Sequence, residues 1–356
     1  MVRQSDQKTT KGGPVKEPFA RTEIKIAVIG GGTGSFTLLS ALKDHTSQLA
    51  ALVNMADDGG STGVLRDELG ALPPGDIRQC LVALSDSERV RDLFNYRFEE
   101  GSLKGHAFGN LFLTALEKMT GDFGSGVEVA SEVLNIKGVV EPITLTSVKL
   151  AMRDSQGRET RGEFQISDME FGDERPELWL EPEPTPNPRA IRAIETADIV
   201  VIAPGQLYSS IAPALIVPGV GEALGRTKAF CLYVCNLVTK PGQTDSYQVN
   251  DFADEIERFA GQKFLDAVLF NTERPSDELL EKYAKFGEKS VGYDEVSLHD
   301  KPYIAAGAKL LSGSIWKNTN TADPIAAART LIRHDSDAVA NAIIKLYEYA
   351  RDAKQY

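Results

Sequence analysis

Cysteine, histidine and tryptophan are scarce in this chain, and acidic residues outnumber basic ones. The 356 residues include 3 Cys, 4 His and 2 Trp, and 39 Lys+Arg against 51 Asp+Glu give a net charge of −12. So few cysteines cannot form a disulfide framework, which favours a reducing cytoplasm. The acidic balance argues against a nucleic-acid or anionic-membrane binder, because either would need a basic surface. No apolar run approaches the roughly 20 residues of a membrane span.

The remaining composition is that of a globular protein, with 42% hydrophobic and 25% charged residues. Residues 1–23 are polar and have no apolar core, so they predict a polar arm and not a secretory signal. Cys231 and Cys235 lie in the apolar run AFCLYVC with no Cys-His cluster nearby, so we expect buried thiols.

The order of elements predicts an α/β protein with one domain over residues 24–356. Buried strands end in glycine turns that lead into helices, which is typical of a three-layer, mostly parallel, Rossmann-like sheet. An insertion at about 139–188 comprises a β-hairpin that turns at Asp154–Gly157 and an acidic, proline-rich stretch at 168–188 with little regular structure. Further helices are expected at about 250–260, 276–286, 324–333 and 336–352.

The loop Gly31-Gly32-Thr33-Gly34, which follows the strand IKIAVI, is the first chemical signal. Glycines after a strand let the backbone approach a ligand, and the next helix offers free N–H groups to a phosphate. Ser35 replaces the third glycine of G-x-G-x-x-G, and no Gly-Lys-Ser/Thr follows, so this is not a Walker loop. A phosphate site and a tight turn both remain open, and we expect Gly32 and Gly34 to need positive φ or close approach.

Acidic residues at two places in the chain, an Asp-Asp pair and a single Asp, form the second signal. Asp57 and Asp58 come before a glycine-rich turn, and Asp76 follows Pro-Pro-Gly at a predicted helix start. The first pair could orient a ligand hydroxyl or hold Mg²⁺, or could form an ordinary Asp-Gly turn. Asp76 is expected to cap its helix, with a ligand role in addition. Either Asp57 or Asp76 is a possible metal position.

Further candidates follow other predicted strands or begin helices. His106 and Asn110 flank a glycine turn, and Asn110 is expected to cap its helix. A second strand-turn-helix unit, around Gly205–Ser209, has two hydroxyl groups in the first turn of its helix. It therefore predicts a second anion-binding site, which we call the second cradle. The ligand-binding candidates in the second half of the chain are Gly205, Gln206, Ser209, Asn236 and Arg333.

Taken together, these segments resemble the family that contains the YvcK-type gluconeogenesis factors and the CofD-type 2-phospho-L-lactate transferases. The resemblance covers about residues 24–350 and is carried by GGGTGS, ADDGGSTG, PPGDIRQCL, GHAFGNL, ASEVLNIKG, APGQLYSS, YVCNLVTKPG and RHDSD. The YvcK branch is the closer match, because GHAFGNL, the intact ADDGGSTG and RHDSD belong to it.

The resemblance implies nucleotide binding at the carboxyl ends of the strands. In the YvcK branch it implies binding of UDP-sugars such as UDP-N-acetylglucosamine, and a role in carbon-source-dependent morphogenesis and cell-wall control without a settled reaction. In the transferase branch it implies transfer of a phospholactyl group from a guanosine diphosphate donor to a deazaflavin alcohol, with Mg²⁺. Asp76 matches the position that holds the acceptor in the transferases. Arg333 matches a position tied to nucleotide-sugar binding in the YvcK branch.

Three classes of function therefore stay open. The first is a cytoplasmic nucleotide-sugar-binding factor, without an assigned catalytic residue or cofactor. The second is the transferase, in which Asp76 would orient or deprotonate the acceptor hydroxyl. The third is an NAD-linked oxidoreductase, which should place an acid closer to the end of the second strand than Asp57. The partners expected are a nucleotide ligand and further copies of the chain in a homo-oligomer, with neither nucleic acid nor membrane insertion.

Overall fold

A computed structural model of the chain describes residues 24–172, 174–285, 287–313 and 333–353. The predicted arm at 1–23 lies outside the described residues, as does the helix predicted at 324–333 except for Arg333. No single helix in the described part has the length and hydropathy of a membrane span, and one sharply bent helix pair, Leu207–Leu215 with Val220–Arg226, meets that test by length and composition.

Ten strands and fourteen α-helices are found in the described residues. The strands are β1 Ile26–Gly30, β2 Leu49–Val53, β3 Val139–Pro142, β4 Lys149–Arg153, β5 Glu159–Arg161, β6 Glu177–Glu181, β7 Ile199–Ile202, β8 Phe230–Val234, β9 Ala267–Asn271 and β10 Ile304–Ala308. The helices of the first half are α1 Gly32–Leu42, α2 Gly60–Leu69, α3 Gly75–Leu84, α4 Glu88–Asn95, α5 Phe108–Thr120, α6 Phe123–Leu134 and α7 Glu163–Asp168. Those of the second half are α8 Pro188–Thr196, α9 Ala212–Leu215, α10 Val220–Arg226, α11 Val249–Ala260, α12 Asp277–Ala284, α13 Glu295–His299 and α14 Ser336–Ala353, with a π-helical turn at Leu207–Ile211 before α9.

Seven parallel strands form the large sheet, in the order β10-β9-β8-β7-β1-β2-β3. Every residue of β1, β7 and β8 is buried. Because successive side chains point to opposite faces of a strand, both faces of the sheet are covered by helices. The predicted three-layer α/β fold is confirmed.

A second, antiparallel sheet of three strands has the order β5-β4-β6. The predicted hairpin turn at Asp154–Gly157 is confirmed, since it connects β4 to β5. The insertion, however, does not begin at 139 as a hairpin, because β3 pairs in parallel with β2 at the edge of the large sheet.

Two segments of the insertion differ from the sequence-based expectation. The proline-rich stretch 168–188 was expected to lack regular structure, but β6 lies within it and pairs along the whole of β4. The segment RETRGEFQISDM, residues 158–169, alternates apolar and polar residues, which favours a strand as the second arm of the hairpin. In the structure β5 ends at Arg161 and α7 follows. The reason is local: Gly162 has φ 109°, which ends the strand, and Asp58 accepts hydrogen bonds from the first two amides of α7.

Candidate functional site

The strand order reverses between β1 and β7, which are neighbours in the large sheet. In open α/β sheets ligands bind at such a switch point, outside the carboxyl ends of the strands. Here the loop Gly31–Gly34 after β1 meets Pro204-Gly205 after β7. A side chain on Gly34 would collide with the Pro204 carbonyl oxygen, and one on Gly30 would lie 2.9 Å from Ala203 Cβ.

Neither Gly32 nor Gly34 has a positive φ, so close approach is what excludes a side chain at these positions. At Gly34 the approaching group is the Pro204 backbone and not open ligand space. The third-glycine function of a dinucleotide loop, close helix–strand packing, is therefore performed by Gly34. Thr33, between them, is exposed.

Four helices begin at this edge of the sheet without a side-chain cap. Their N-cap residues are Gly31, Gly59, Pro74 and Ala107, and none makes a side-chain hydrogen bond to its helix. Five other described helices are capped by their own N-cap side chains, namely Ser87, Asp122, Asn187, Ser276 and Asp294, whereas α7, α9 and α10 also lack such a cap. Uncapped amides and positive dipole ends favour an anion.

The four uncapped ends converge on one volume. A Cβ on Gly31 would collide with the Asp76 carboxylate and lie 2.9 Å from Ser210 Oγ. The start of α1 therefore lies close to both α3 and the π-helical turn. A Cβ on Gly75 would lie 2.8 Å from Thr62 Oγ1 and 3.0 Å from Asp57 Oδ2, which joins α3 to α2. The glycines thus let the polar side chains of Asp76, Ser210, Thr62 and Asp57 pack closely against these helix ends.

Asp76 does not cap α3, contrary to the sequence-based expectation. The helix begins one residue earlier, with Pro74 as its N-cap, so Asp76 is already helical and its carboxylate turns towards Gly31 and Gly32. The Asp-Gly turn is present as well, because Asp57 Oδ1 accepts from Gly59 N at 3.0 Å.

A polar chain forms one wall of the site. Ser61 Oγ lies 2.9 Å from His106 Nδ1, and Asn110 Nδ2 donates to Ser61 Oγ at 3.3 Å. Asn110 Oδ1 accepts from Arg78 Nε at 2.9 Å. Asn110 was expected to cap α5, but the N-cap is Ala107. The side-chain amide of Asn110 instead forms the two hydrogen bonds just described, to Ser61 and Arg78. Sequence reasoning paired His106 with Asn110, and Ser61 is the residue it missed.

Arg78 places a cation beneath the site. The residue is only 8% exposed, and its described hydrogen bonds go to two asparagine oxygens, on Asn110 and Asn95, and not to a carboxylate. Burial lowers the pKa of Arg78 to about 10, opposed by the charge of Asp76, so the guanidinium is still cationic at pH 7. A buried cation with neutral partners is suited to balancing an anion.

The second cradle is held by Asn236, which lies two residues after the end of β8. Asn236 Oδ1 accepts from Gly205 N at 3.1 Å and Asn236 Nδ2 donates to Gly205 O at 2.6 Å. The sequence suggested that Asn236 could donate to a base or sugar, and in the structure it shapes the turn after β7. Ser209 Oγ donates to Gln206 Oε1 at 2.7 Å.

A buried network lies behind the π-helical turn, a feature frequent at functional sites. Tyr208 and Tyr247 hydroxyls lie 2.7 Å apart, and Tyr208 donates towards Glu255, which is 0% exposed. Arg258 binds Glu255 through two hydrogen bonds of 2.9 and 2.6 Å. This network fixes the second cradle to α11, and none of its members was predicted.

Asp58 links the large sheet to the insertion. Its two carboxylate oxygens accept from Glu163 N at 3.2 Å and Phe164 N at 2.8 Å. Glu163 is thereby brought to the site from about a hundred residues away, and burial, followed by the charge of Asp57, raises the pKa of its carboxyl to about 8. The sequence gave no direct signal for Glu163 beyond the glycine that precedes it.

Magnesium was considered possible at Asp57 or Asp76. Within the described residues, no group of three or more His, Cys, Asp or Glu side chains is arranged to hold a metal ion. Both carboxylate oxygens of Asp58 accept hydrogen bonds from amides of α7, and Asp57 Oδ1 accepts a hydrogen bond from Gly59 N. Magnesium is commonly held by one or two carboxylates together with a ligand's phosphates, so a magnesium position at Asp57 or Asp76 stays a prediction.

A groove of about 580 Å³ lies beside the second cradle, at the carboxyl ends of β8 and β9. Its volume falls in the range of small-molecule sites. Phe270 and Tyr293 form an aromatic pair in it, with ring centroids 4.8 Å apart. Polar groups on its wall include Asn236, Asn271 and Lys289.

Arg333 lies beyond this groove, at the β10 edge of the sheet. The segment is anchored by a hydrogen bond from Ser312 N to Arg333 O at 2.8 Å and by a bridge between Leu311 and His334. The residue is half-buried, and burial lowers its pKa.

The chain matches known proteins over most of its length. The family described as 2-phospho-L-lactate transferase CofD matches residues 26–311. The gluconeogenesis factor of Bacillus subtilis is 40% identical over 325 residues, covering 90% of this chain and 98% of the relative. The gluconeogenesis factor of Listeria monocytogenes is 34% identical over 339 residues, covering 94% and 99%.

A solved structure agrees with the fold. The crystal structure of a UPF0052-family protein from Bacillus halodurans superimposes with a TM-score of 0.81 and 35% sequence identity, covering 91% of this chain and 99% of that one. The resemblance seen in the motifs is confirmed by these matches. The chain belongs to the CofD family and, within it, to the group of gluconeogenesis factors.

Proposed function

We propose that the protein is a nucleotide-sugar-binding factor of the UDP-N-acetylglucosamine type. The observation that carries this proposal is the group of helix N-termini near the switch point of the sheet whose own N-cap residues, Gly31, Gly59, Pro74 and Ala107, provide no side-chain cap. Such an end satisfies its amides with water or a ligand, and an anion gains most from the summed dipoles. A diphosphate, with two anionic groups, fits a site with cradles after both β1 and β7.

The negative net charge of the molecule means that an anionic ligand must be attracted by groups close to it in the site. A net charge of −12 repels anions at long range, so binding has to be supplied by groups inside the site. Arg78 and the uncapped amides are such groups. The carboxylates of Asp57 and Asp76 beside them suit hydroxyl groups of a ribose or sugar, which donate hydrogen bonds to carboxylates.

The groove after β8 and β9 supports a base at one end of the ligand. Phe270 and Tyr293 offer aromatic surface, while Asn271 and Lys289 offer polar groups for orientation. A nucleotide sugar laid along the strand ends would place its diphosphate at the cradles and its base in the groove, on the side of Arg333.

The proposed cellular role follows from the family. Relatives at 34–40% identity carry the description gluconeogenesis factor. We propose that this chain, in the cytoplasm, senses a nucleotide sugar and thereby controls cell shape and wall synthesis during gluconeogenic growth. Self-association of the chain stays a prediction, which sedimentation of the purified protein would test.

Calorimetric titration with UDP-N-acetylglucosamine, UDP-glucose, GDP, NAD and the deazaflavin alcohol tests the proposal. We expect the UDP-sugars to bind most tightly. Ser210→Ala, at the meeting point of the cradles, should weaken binding, whereas Ser131→Ala on α6, whose hydroxyl donates to Val127 O, should not. Tighter binding of NAD than of any UDP-sugar would contradict the proposal.

A transferase of the phospholactate type is the second candidate, favoured by the position of Asp76. Its carboxylate lies against Gly31 and Gly32, where an acceptor hydroxyl would have to be oriented beside the diphosphate. Incubation with the guanosine diphosphate donor and the deazaflavin alcohol, followed by chromatography, tests it. Product formation that Asp76→Asn abolishes would replace the binding-factor proposal by this one.

A further inference from the structure

His106 lies between the first turns of two helices, α2 and α5. The next residue, Ala107, is the N-cap of α5, and Ser61, the second residue of α2, has its hydroxyl oxygen 2.9 Å from His106 Nδ1. The ring is half-buried, and within the described part of the chain its other nitrogen, Nε2, has no hydrogen-bond partner. Nε2 is therefore the ring atom that is available to a ligand.

The hydrogen bonds behind His106 run in one direction. The guanidinium of Arg78 can only donate, so the Asn110 atom that accepts from Arg78 Nε at 2.9 Å is the carbonyl oxygen Oδ1. The amide nitrogen of Asn110 then faces Ser61, and it donates to Ser61 Oγ at 3.3 Å. Because Arg78 and Asn110 are both buried, water competes little with the bond between them.

The last bond of this series decides which nitrogen of His106 carries the hydrogen. Ser61 has one hydroxyl hydrogen, and the one acceptor for it among the described residues is His106 Nδ1. A hydrogen on Nδ1 would leave the Ser61 hydroxyl hydrogen without an acceptor in the protein. The neutral ring therefore accepts at Nδ1 and carries its hydrogen on Nε2, where it is a donor.

The position of His106 along the strand ends corresponds to the sugar of the proposed ligand. The groove assigned to the base lies at β8 and β9, and the two cradles follow β7 and β1. Strand β2 lies beyond β1, on the side opposite β7, and the helix that carries Ser61 begins after β2. A ligand with its base in the groove and its diphosphate at the cradles therefore extends its sugar towards α2 and His106.

We propose that His106 is a sugar-binding residue whose Nε2–H group donates a hydrogen bond to an acceptor oxygen of the sugar, and that Ser61 is the positioning residue that fixes this tautomer. The inference rests on the nucleotide-sugar binding proposed above and adds the group that distinguishes a nucleotide sugar from a free nucleotide. The carboxylates of Asp57 and Asp76 accept from sugar hydroxyls but cannot donate. His106 supplies the missing donor, which suits the carbonyl oxygen of an N-acetyl group, an acceptor only.

Calorimetric titration with UDP-N-acetylglucosamine and with UDP tests the contact. His106→Ala should bind the nucleotide sugar about tenfold more weakly than wild type and UDP within about twofold, because the lost bond is to the sugar. His106→Gln keeps a side-chain N–H donor, so it should bind the nucleotide sugar about threefold more tightly than His106→Ala. His299→Ala, at the exposed end of α13, is the matched control and should bind both ligands as the wild type does.

Ser61→Ala and Ser61→Thr test the positioning role, with hydrogen–nitrogen correlation NMR spectra of the histidine rings as the readout. The chain has four histidines, so the His106 signals are those absent from the spectrum of His106→Gln. We expect the ring hydrogen on Nε2 in wild type and in Ser61→Thr, which keeps a hydroxyl, and both tautomers in Ser61→Ala. The affinity of Ser61→Ala should fall about threefold for UDP-N-acetylglucosamine and stay level for UDP.

Several results would overturn the inference while leaving nucleotide binding intact. They are a loss of UDP affinity in His106→Ala as large as that for UDP-N-acetylglucosamine, no loss with either ligand, a wild-type ring hydrogen on Nδ1, and an unchanged ring spectrum in Ser61→Ala. The wild-type spectrum decides the tautomer even where His106→Ala does not fold. A wild type that binds neither ligand would overturn the proposed function itself, and this inference with it.

Discussion

The carbonyl oxygen of Pro204 occupies the space that a side chain on Gly34 would need. The two residues belong to the turns after β7 and β1, the neighbouring strands at which the order of the sheet reverses. The glycine loop is therefore first a packing device that brings two strand-turn-helix units together. Ligand binding depends on that contact, because each turn contributes one cradle.

Gly34→Val should destabilise the protein and not merely abolish ligand binding. Its side chain would be forced against backbone that cannot rotate away, which costs about 3 kcal/mol or more. Thermal unfolding followed by circular dichroism measures the loss. Gly292→Ala is the control, since a Cβ there meets nothing within 4 Å and its φ is not positive. A Gly34→Val protein as stable as wild type would show that the loop can move away from Pro204.

Asp76→Asn should weaken UDP-sugar binding by about tenfold, or 1.4 kcal/mol, with little change in melting temperature. The residue does not cap α3, so the helix loses no side-chain cap. Its carboxylate lies beside Gly31 and Gly32, and an amide would present a donor where a ligand hydroxyl needs an acceptor. Titration and thermal unfolding of the purified variant provide both measurements. Unchanged or tighter binding would mean that Asp76 contributes only repulsion at the site.

Arg333→Lys should lower UDP-sugar affinity by about tenfold or more, roughly 1.4 kcal/mol. A guanidinium makes two parallel hydrogen bonds to a phosphate or carboxylate, which an ammonium cannot reproduce. The Arg333 backbone is anchored next to the end of β10, where its carbonyl oxygen accepts from Ser312 N at 2.8 Å. The control is Arg226→Lys, whose guanidinium pairs with Glu195 on α8. Matching dissociation constants for Arg333→Lys and wild type would remove Arg333 from the site.

Glu163→Gln should become more stable relative to wild type as the pH rises from 5 to 9. The pKa of Glu163 is raised to about 8 in the folded protein from its ordinary value of 4.5, so the folded state holds a proton that the unfolded state has released. Wild-type stability is therefore lost progressively between those two values, by a few kcal/mol. Glutamine does not titrate, so the variant lacks this loss. Denaturant unfolding at pH 5, 7 and 9 without ligand measures the difference, and parallel curves for the two proteins would contradict the raised pKa.

The local pattern of the chain was sufficient for the α/β class and for most elements of the large sheet. Apolar runs identified β1, β7, β8 and β9, because strands buried on both faces must be apolar throughout. The same pattern identified the loops at Gly31–Gly34 and Gly205–Ser209, because a backbone that must approach another group leaves glycines in the sequence. Motif order was specific enough to indicate the family, which the comparisons then confirmed.

Contacts between distant segments were decided only by the tertiary structure. No spacing rule relates Asp58 to Glu163, or Arg78 to Asn110, because their proximity follows from how the small sheet and α5 pack against the large one. The roles expected of Asp76 and Asn110 as caps were wrong for the same reason. A residue near a helix start can cap its own helix. In the folded chain, however, each of these two side chains contacts residues of another element instead. The sequence thus determined most of the strands, turns and helices of the large sheet, whereas three-dimensional packing decided which side chains share the site.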